Sequence, residues 1–423
     1  MSRPEMRALQ SERLITLVNH VYANVPFYRL RMDEMGVKPS DILSIDDIVK
    51  LPFTYKTDLR DHYPFDLFAV PLKEIVRVHA SSGTTGKPTT VGYTKNDIEN
   101  WREVVARCLT MAGISSDDVM QISYGYGLFT GGLGVHYGAE TVGCTVVPIS
   151  GGNTRRQLQL MVDFGSTVLA CTPSYALHLA DALVEHGYSL ADLKLKTGVF
   201  GAEPWTENMR LELEKKWGIH AHDIYGLSEI MGPGVANDCI QHTGLHVHED
   251  HFFPEIVHPD TKQPLADGTE GELVFTTLTK EGIPLLRYNT RDLSTLYRDT
   301  CACGRTSVRM KKITGRSDDM LIIRGVNLFP SQIEHVLLEM GETSAHYMLY
   351  VDRENNLDTL ELKVEIDETK LTDTIRELQD LSRKISHALN SAIGLSVKVT
   401  LVEPKTIARS EGKAVRVVDN RKK

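Results

Sequence analysis

The spacing of apolar and polar residues changes character several times along the chain, and each change predicts an element. Leu9, Leu14, Leu17 and Val18 recur near helical spacing, so residues 5–35 read as a helical start interrupted at Pro26. Residues 36–70 are punctuated by Pro and Asp and are expected to wrap around a core built later. Ile75-Val-Arg-Val78 alternates as a half-buried strand does, and Thr90-Val-Gly-Tyr93 resumes strand character after a polar stretch. From residue 94 strands and helices take turns. Asn96 and Glu99 stand at capping-box spacing and predict a helix to about Met111. Strands are predicted at 119–123, 141–148, 166–171, 196–200 and 219–224, with helices at 155–164, 173–186 and 204–217.

This alternation predicts a layered α/β domain with a largely parallel sheet. In such sheets ligands bind beyond the carboxyl ends of the strands. The loops beginning near Tyr124, Thr172, Gly201 and Tyr225 are therefore expected to line one site. Residues 245–315 become β-rich with Pro and Gly turns, 272–278 being the clearest strand. From Ser331 a small α+β pattern follows: a helix to about Glu339, strands near 346–352 and 359–366, a long helix over 368–392 and a strand at 395–402. The change near Ser317 predicts a large N-terminal domain, 1–317, whose β-rich part spans about 237–315. A small mobile α+β C-terminal domain, 318–423, follows it.

Composition narrows the class. A chain of 423 residues with 41% apolar and 24% charged positions suits two or three soluble globular domains. A formal charge of −9 argues against a nucleic-acid surface, which needs a basic excess. No apolar run approaches the roughly 18 residues of a membrane span, and Met1-Ser-Arg-Pro-Glu-Met-Arg7 has no apolar signal core. Six cysteines in so long a chain do not form a disulfide scaffold. The expectation is a cytoplasmic enzyme with neither nucleic acid nor membrane as partner.

Two stretches carry candidate chemistry. Between the strands at 75–78 and 90–93 lies Ser81-Ser-Gly-Thr-Thr-Gly-Lys-Pro-Thr89. Its glycines let the main chain approach an anion, its hydroxyls and amides can point inward, and Lys87 adds a cation. It is not a Walker A loop: Gly83 and Gly86 are too close, and Pro88 and a strand follow Lys87. The second is Cys239-Ile-Gln-His-Thr-Gly-Leu-His246 with Cys301-Ala-Cys-Gly304. Cys239, Cys301, Cys303 and His246 suit a tetrahedral structural zinc site, with His248 the alternative imidazole.

The Ser81–Thr89 segment resembles the phosphate loop of the adenylate-forming enzymes, the acyl-CoA synthetases and their relatives. Further segments match that superfamily in order: Gly198-Val-Phe-Gly-Ala-Glu-Pro204, Asp223-Ile-Tyr-Gly-Leu-Ser-Glu229, Tyr288-Asn-Thr-Arg-Asp-Leu293, Thr314 through Glu334, and Pro404 through Arg416. Tyr124-Gly-Tyr-Gly-Leu-Phe-Thr-Gly-Gly-Leu-Gly134, Gly151-Gly-Asn-Thr-Arg-Arg-Gln157 and Ile322 through Pro330 resemble one branch, the phenylacetate–CoA ligases. Asn289 departs from it, standing where many relatives have Arg or another residue.

The resemblance implies roles. Ser81, Ser82, Gly83, Thr84, Thr85, Gly86 and Lys87 would hold the phosphates, and Glu229 would ligate Mg²⁺. Gly201, Ala202 and Glu203 would flank adenine, and Tyr225 would stack on it within the segment that also holds Asp223 and Gly226. Asp292 would accept from the ribose hydroxyls, and Arg316 would approach the nucleotide. Asp318 would be the hinge between the domains, and Lys413 would bridge the carboxylate nucleophile and the α-phosphoryl oxygens. Tyr124, Tyr126 and Phe129 are candidates for an aryl pocket, and equally for core residues around a glycine-rich turn. The activity implied is ATP-dependent ligation of an arylacetic acid, above all phenylacetate, to coenzyme A as co-substrate through an acyl-adenylate, releasing AMP and pyrophosphate. The alternative is adenylation with another acid or acceptor, as in deazaflavin-adenylating synthetases. A homodimer is also implied.

Overall fold

The computed structural model describes residues 1–80, 88–313, 315–317, 321–323, 326–354, 357–367, 375–409 and 415–421. Two compact units emerge. The first comprises Met1–Cys171, Leu183–Ala202 and Ile219–Lys312; the second comprises Thr172–Ala182, Glu203–Gly218 and Ile313–Lys423.

The first unit opens with the helix Arg3–Asn24. Ser2 caps it reciprocally with Glu5, and Leu14, Leu17, Val18 and Val21 form its buried stripe. Pro26 then starts a second helix, Pro26–Glu34, where the expected interruption falls. The principal sheet has nine strands in the order Leu296–Tyr297, Arg309–Met310, Leu245–Val247, Gly232–Asp238, His220–Leu227, Thr197–Gly201, Val168–Cys171, Val119–Ile122 and Thr145–Val147. From His220–Leu227 to Thr145–Val147 all pairings are parallel. On the other side of His220–Leu227 they are antiparallel, so the sheet is mixed. A separate antiparallel sheet joins Phe252–Val257, Gly271–Thr277 and Tyr288–Ser294. Arg77–Ala80 and Thr90–Tyr93 pair as a hairpin with Ala80 opposite Thr90.

Two local expectations need correcting. The helix Lys95–Met111 is capped by Thr94 with Asp97, not by Asn96 with Glu99. Asp97 is fully buried and also accepts the N–H groups of Glu281 and Gly282, at 2.8 Å each, so burial selects it over the exposed pair. Asn96 donates instead to Glu281 Oε1 at 2.8 Å. The second correction concerns Thr130–Val142, which is a helix. Its last turn takes up Thr141 and Val142, so the strand expected from 141 begins at Thr145. Gly134 and Gly138 are four residues apart on one face of this helix. A Cβ at Gly138 would lie 2.3 Å from Val105 Cγ1, and one at Gly134 would lie 2.4 Å from Trp101 Cζ2. The glycines let this helix lie directly against Lys95–Met111.

In the second unit, four strands run in the order Lys398–Val402, Leu357–Ile366, Thr343–Glu354 and Val417–Asp419. The helices Pro330–Met340 and Ile375–Ile393 bury Leu337, Ile385 and Leu389 with Leu349 and Leu362 of the sheet. The part of the expected long helix at 368–374 lies outside the described residues. The helices Pro173–Ala182 and Glu207–Trp217 also belong to this unit, tied by Trp217 Nε1 to the Ala176 carbonyl at 3.0 Å. Among the described residues no helix is long and apolar enough to cross a membrane.

Candidate functional site

The parallel strands of the first unit end level with one another: Ile122 lies opposite Ala170, Cys171 opposite Phe200, and Gly201 opposite Ile224. Two glycines at this edge have no room for a side chain. A Cβ on Gly201 would lie 2.1 Å from the Ile224 carbonyl oxygen, and one on Gly226 would lie 1.9 Å from that of Gly232. Between them in sequence, Ala202 is exposed and held at φ +71°, a left-handed conformation uncommon for alanine.

Tyr225 and Asp292, far apart in sequence, meet here. The tyrosine hydroxyl donates to Asp292 Oδ2 at 2.6 Å, and the Asp292 N–H donates to Thr290 Oγ1 at 3.0 Å. The Tyr225 ring lies tilted beside Phe275, centroids 6.2 Å apart. Asp223 is buried with Oδ2 3.9 Å from Lys312 Nζ. Glu203 and Arg316 belong to the second unit. There Glu203 Oε1 accepts the Ser174 N–H at 2.7 Å, satisfying a donor in the first turn of Pro173–Ala182; Arg316 is half-buried.

Glu229 follows the same edge. Its side chain is 4% exposed, and Lys56 Nζ stands 3.0 Å from its Oε1. Thr89 Oγ1 donates to that same oxygen at 3.4 Å. A buried carboxylate that already attracts a cation suits Mg²⁺, which prefers hard anionic oxygen. Lys56 has no sequence signal: it follows Pro52-Phe-Thr-Tyr55 and belongs to no motif. The phosphate-loop residues Ser81, Ser82, Gly83, Thr84, Thr85, Gly86 and Lys87, the hinge Asp318 and Lys413 lie outside the described residues.

The three aryl-pocket candidates occupy different surroundings. Tyr124 is buried, and a Cβ on Gly131 would touch its ring at 3.6 Å. Tyr126 is half-buried, its hydroxyl 3.1 Å from His136 Nδ1, and burial pushes its phenol well above the usual range. Phe129 is 48% exposed. A cavity of about 630 Å³ lined in part by Arg31, Phe53, Tyr55, Lys262 and Arg287 contains none of the expected site residues. Its cations are paired with Asp58, Glu272 and Glu255 respectively for Arg31, Lys262 and Arg287, so it offers little to an anionic substrate.

The cysteine and histidine set does come together. Donor atoms of Cys239, His246, Cys301 and Cys303 all lie within 4.8 Å of one another. Cys239 and Cys301 sulfurs are 3.8 Å apart; two thiolates on one tetrahedral zinc stand about 3.7 Å apart. Cys303 Sγ lies 3.5 Å from His246 Nε2, while His246 Nδ1 faces Ser307 Oγ at 3.0 Å. Burial, with Arg305 and Arg309 nearby, pushes His246 down to about 4 and keeps its imidazole neutral, the form that can ligate a metal. The alternative, His248, points elsewhere: its Nε2 lies 3.3 Å from Cys108 Sγ. Asp238 precedes Cys239 and is held by His222 Nδ1 at 3.1 Å and His242 Nδ1 at 2.8 Å, and the His242 N–H closes a turn onto the Cys239 carbonyl at 3.0 Å. These contacts brace the loop that presents the donors.

Comparison with known proteins agrees with this geometry. Residues 12–278 match the model for AMP-binding enzymes, and residues 325–421 match the AMP-binding enzyme C-terminal domain. The chain is 54% identical to a phenylacetate-coenzyme A ligase of Escherichia coli (strain K12), covering 99% of this chain and 95% of the relative. It is 53% identical to a phenylacetate-coenzyme A ligase of Thermus thermophilus, covering 100% and 98%. Among solved structures it is similar to a 2-hydroxyisobutyryl-CoA ligase in the postadenylation state in complex with 2-HIB-AMP, with a TM-score of 0.94 and 30% identity over 100% of this chain and 91% of that one. The chain thus belongs to the AMP-binding superfamily of adenylate-forming enzymes and, within it, to the phenylacetate–coenzyme A ligase family.

Proposed function

We propose that this protein joins phenylacetate to coenzyme A in two steps at one site. A carboxylate oxygen of the acid attacks the α-phosphorus of ATP, and the bond to the β-phosphate oxygen breaks to release pyrophosphate. The thiol of coenzyme A then loses its proton and attacks the acyl carbon, the carbon–oxygen bond to phosphorus breaks, and AMP leaves. The observation that carries this reading is the full-length likeness to phenylacetate-coenzyme A ligases. ATP and coenzyme A use follows from the family.

Within that reading, Asp292 accepts from the ribose hydroxyls by charge-assisted hydrogen bonds, with Tyr225 holding its other side and offering a ring face to adenine. Gly201, Ala202 and Glu203 flank the base, Asp223 and Gly226 shape the adjoining turn, and Arg316 approaches the nucleotide. Lys87 and the surrounding Ser, Thr and Gly residues hold the leaving phosphates, and Lys413 steadies the carboxylate and the α-phosphoryl oxygens as charge shifts between them. Glu229 is the protein's ligand for Mg²⁺, which when bound neutralises phosphate charge. Tyr126 and Phe129 border the aryl group more naturally than the buried Tyr124. The division at residues 317 and 318, with Asp318 as pivot, lets the C-terminal domain exchange Lys413 for the thiol between steps.

Cys239, His246, Cys301 and Cys303 form a structural zinc site with no open position for substrate. A homodimer and a cytoplasmic location complete the proposal; the first rests on the resemblance, the second on composition. Incubation with phenylacetate, ATP and coenzyme A should yield phenylacetyl-CoA by mass together with AMP and pyrophosphate. Pyrophosphate release without any thioester would replace coenzyme A by another acceptor.

A further inference from the structure

Lys56 stands beside Glu229, the residue assigned to Mg²⁺, yet nothing so far gives it a task. Its ammonium lies 3.0 Å from Oε1 of Glu229. Thr89 Oγ1 reaches that same oxygen at 3.4 Å, and Thr89 is the last residue of the Ser81–Thr89 phosphate-loop segment. A cation from the N-terminal region, a carboxylate from the sheet edge and the end of the phosphate loop thus converge on one atom.

The pair is asymmetric. The Glu229 side chain is 4% exposed, whereas that of Lys56 keeps 38%. The carboxylate is fixed, but the ammonium rides a flexible stem and can change partners without being buried anew. Neutralising a nearly buried carboxylate is one reason for a cation here, but it does not require one that stays part-exposed on a flexible stem. The chemistry of the nucleotide does. Ligand oxygens side by side on Mg²⁺ are about 3 Å apart, because each sits about 2.1 Å from the ion at a right angle. An ammonium 3.0 Å from Oε1 is at the distance of a neighbouring ligand, and its flexible stem can carry it to a phosphate oxygen bound beside Glu229.

Resting on the reading of Glu229 as the Mg²⁺ ligand, we propose that Lys56 is a further residue of the MgATP site. Its ammonium holds Glu229 in the nucleotide-free protein and passes to the β- and γ-phosphates when MgATP binds, there to stabilise the charge that leaves as pyrophosphate. AMP lacks those phosphates, so Lys56 distinguishes ATP from AMP.

Calorimetric titration with MgATP and with AMP, without acid or coenzyme A, tests this with no turnover. Lys56→Met should weaken MgATP by about tenfold or more, the worth of one charge-assisted contact, and leave AMP within about twofold of wild type. Lys56→Arg should recover most of the loss. Unchanged MgATP affinity, tighter MgATP binding, or equal weakening of both nucleotides would each overturn the proposal; the second would make Lys56 a competitor for the metal position, the third a prop for the fold. Glu229→Gln separates the two readings. If ATP binding keeps its full dependence on Mg²⁺ in that variant, the assignment of Glu229 fails; if that dependence is lost while Lys56→Met binds normally, only the role of Lys56 falls.

Discussion

Glu229 and Asp292 are both nearly buried carboxylates, but their company differs, and the difference suits them to different ligands. Glu229 faces an ammonium and is suited to a cation. Asp292 faces a hydroxyl at 2.6 Å and is suited to donors of that kind. Asp292→Asn preserves volume but replaces one acceptor oxygen by a donor and removes the charge. We expect it to weaken adenosine-containing ligands by about 1.5–3 kcal/mol, the range for hydrogen bonds to a charged group. Equilibrium binding of AMP would read this directly, and wild-type affinity in the variant would remove Asp292 from the ribose. Motif order pointed to both residues. The bond from Tyr225 to Asp292 was not legible, because it joins strands of two different sheets, and Lys56 was not, because a lone lysine opening the six-residue helix Lys56–Asp61 carries no pattern.

The parallel strands and their crossover helices were legible because short, nearly continuous apolar runs, buried along almost their whole length, take turns with stretches of period near 3.6. Thr130–Val142 escaped because Thr130-Gly-Gly-Leu-Gly134 has poor intrinsic helix propensity. Its reason lies in the partner helix, which no local window contains. Gly138→Ala would place a methyl 2.3 Å from Val105 Cγ1, and overpacking of this kind costs about 1–3 kcal/mol. Denaturant unfolding should show that loss, and Val105→Ala in the same chain should return part of it; a neutral Gly138→Ala would mean that the two helices separate freely. The strand Val417–Asp419 was likewise missed, being three residues long and placed by its parallel pairing with Thr343–Glu354.

The stretch leading to the Lys413 segment is anchored by Arg409, which grips the buried Glu365 with both terminal nitrogens at 2.7 Å, while the Ile407 N–H donates to the same carboxylate at 2.8 Å. Burial opposes the charge on Glu365, but Arg409 and the backbone donors outweigh it and hold the carboxyl below the usual range. A depressed folded pKa contributes stability that is complete above the unfolded value, about 4.3, and is lost as pH falls from there through the folded pKa. Glu365→Gln should therefore flatten the acid side of the stability profile below about pH 4.3. A profile unchanged from wild type would show that the pair is not formed in solution.

For the molecule as a whole, the residues proposed to hold zinc come from two stretches, 239–246 and 301–303, that bracket the three-stranded sheet in sequence. A metal there closes a long loop and constrains the unfolded chain, so its effect belongs to stability. Elemental analysis should find one zinc per chain, and Cys303→Ser should lose it and melt at lower temperature. Loss of zinc that abolished adenylation without lowering the melting temperature would contradict a structural role.

In the proposed reaction the acid's own oxygen becomes attached to the α-phosphorus before the thiol arrives. Phenylacetate labelled with ¹⁸O in both carboxylate positions, given with ATP and coenzyme A, tests it in one mass measurement. AMP should carry one ¹⁸O and phenylacetyl-CoA should retain the other. Label in pyrophosphate or phosphate, with unlabelled AMP, would contradict it.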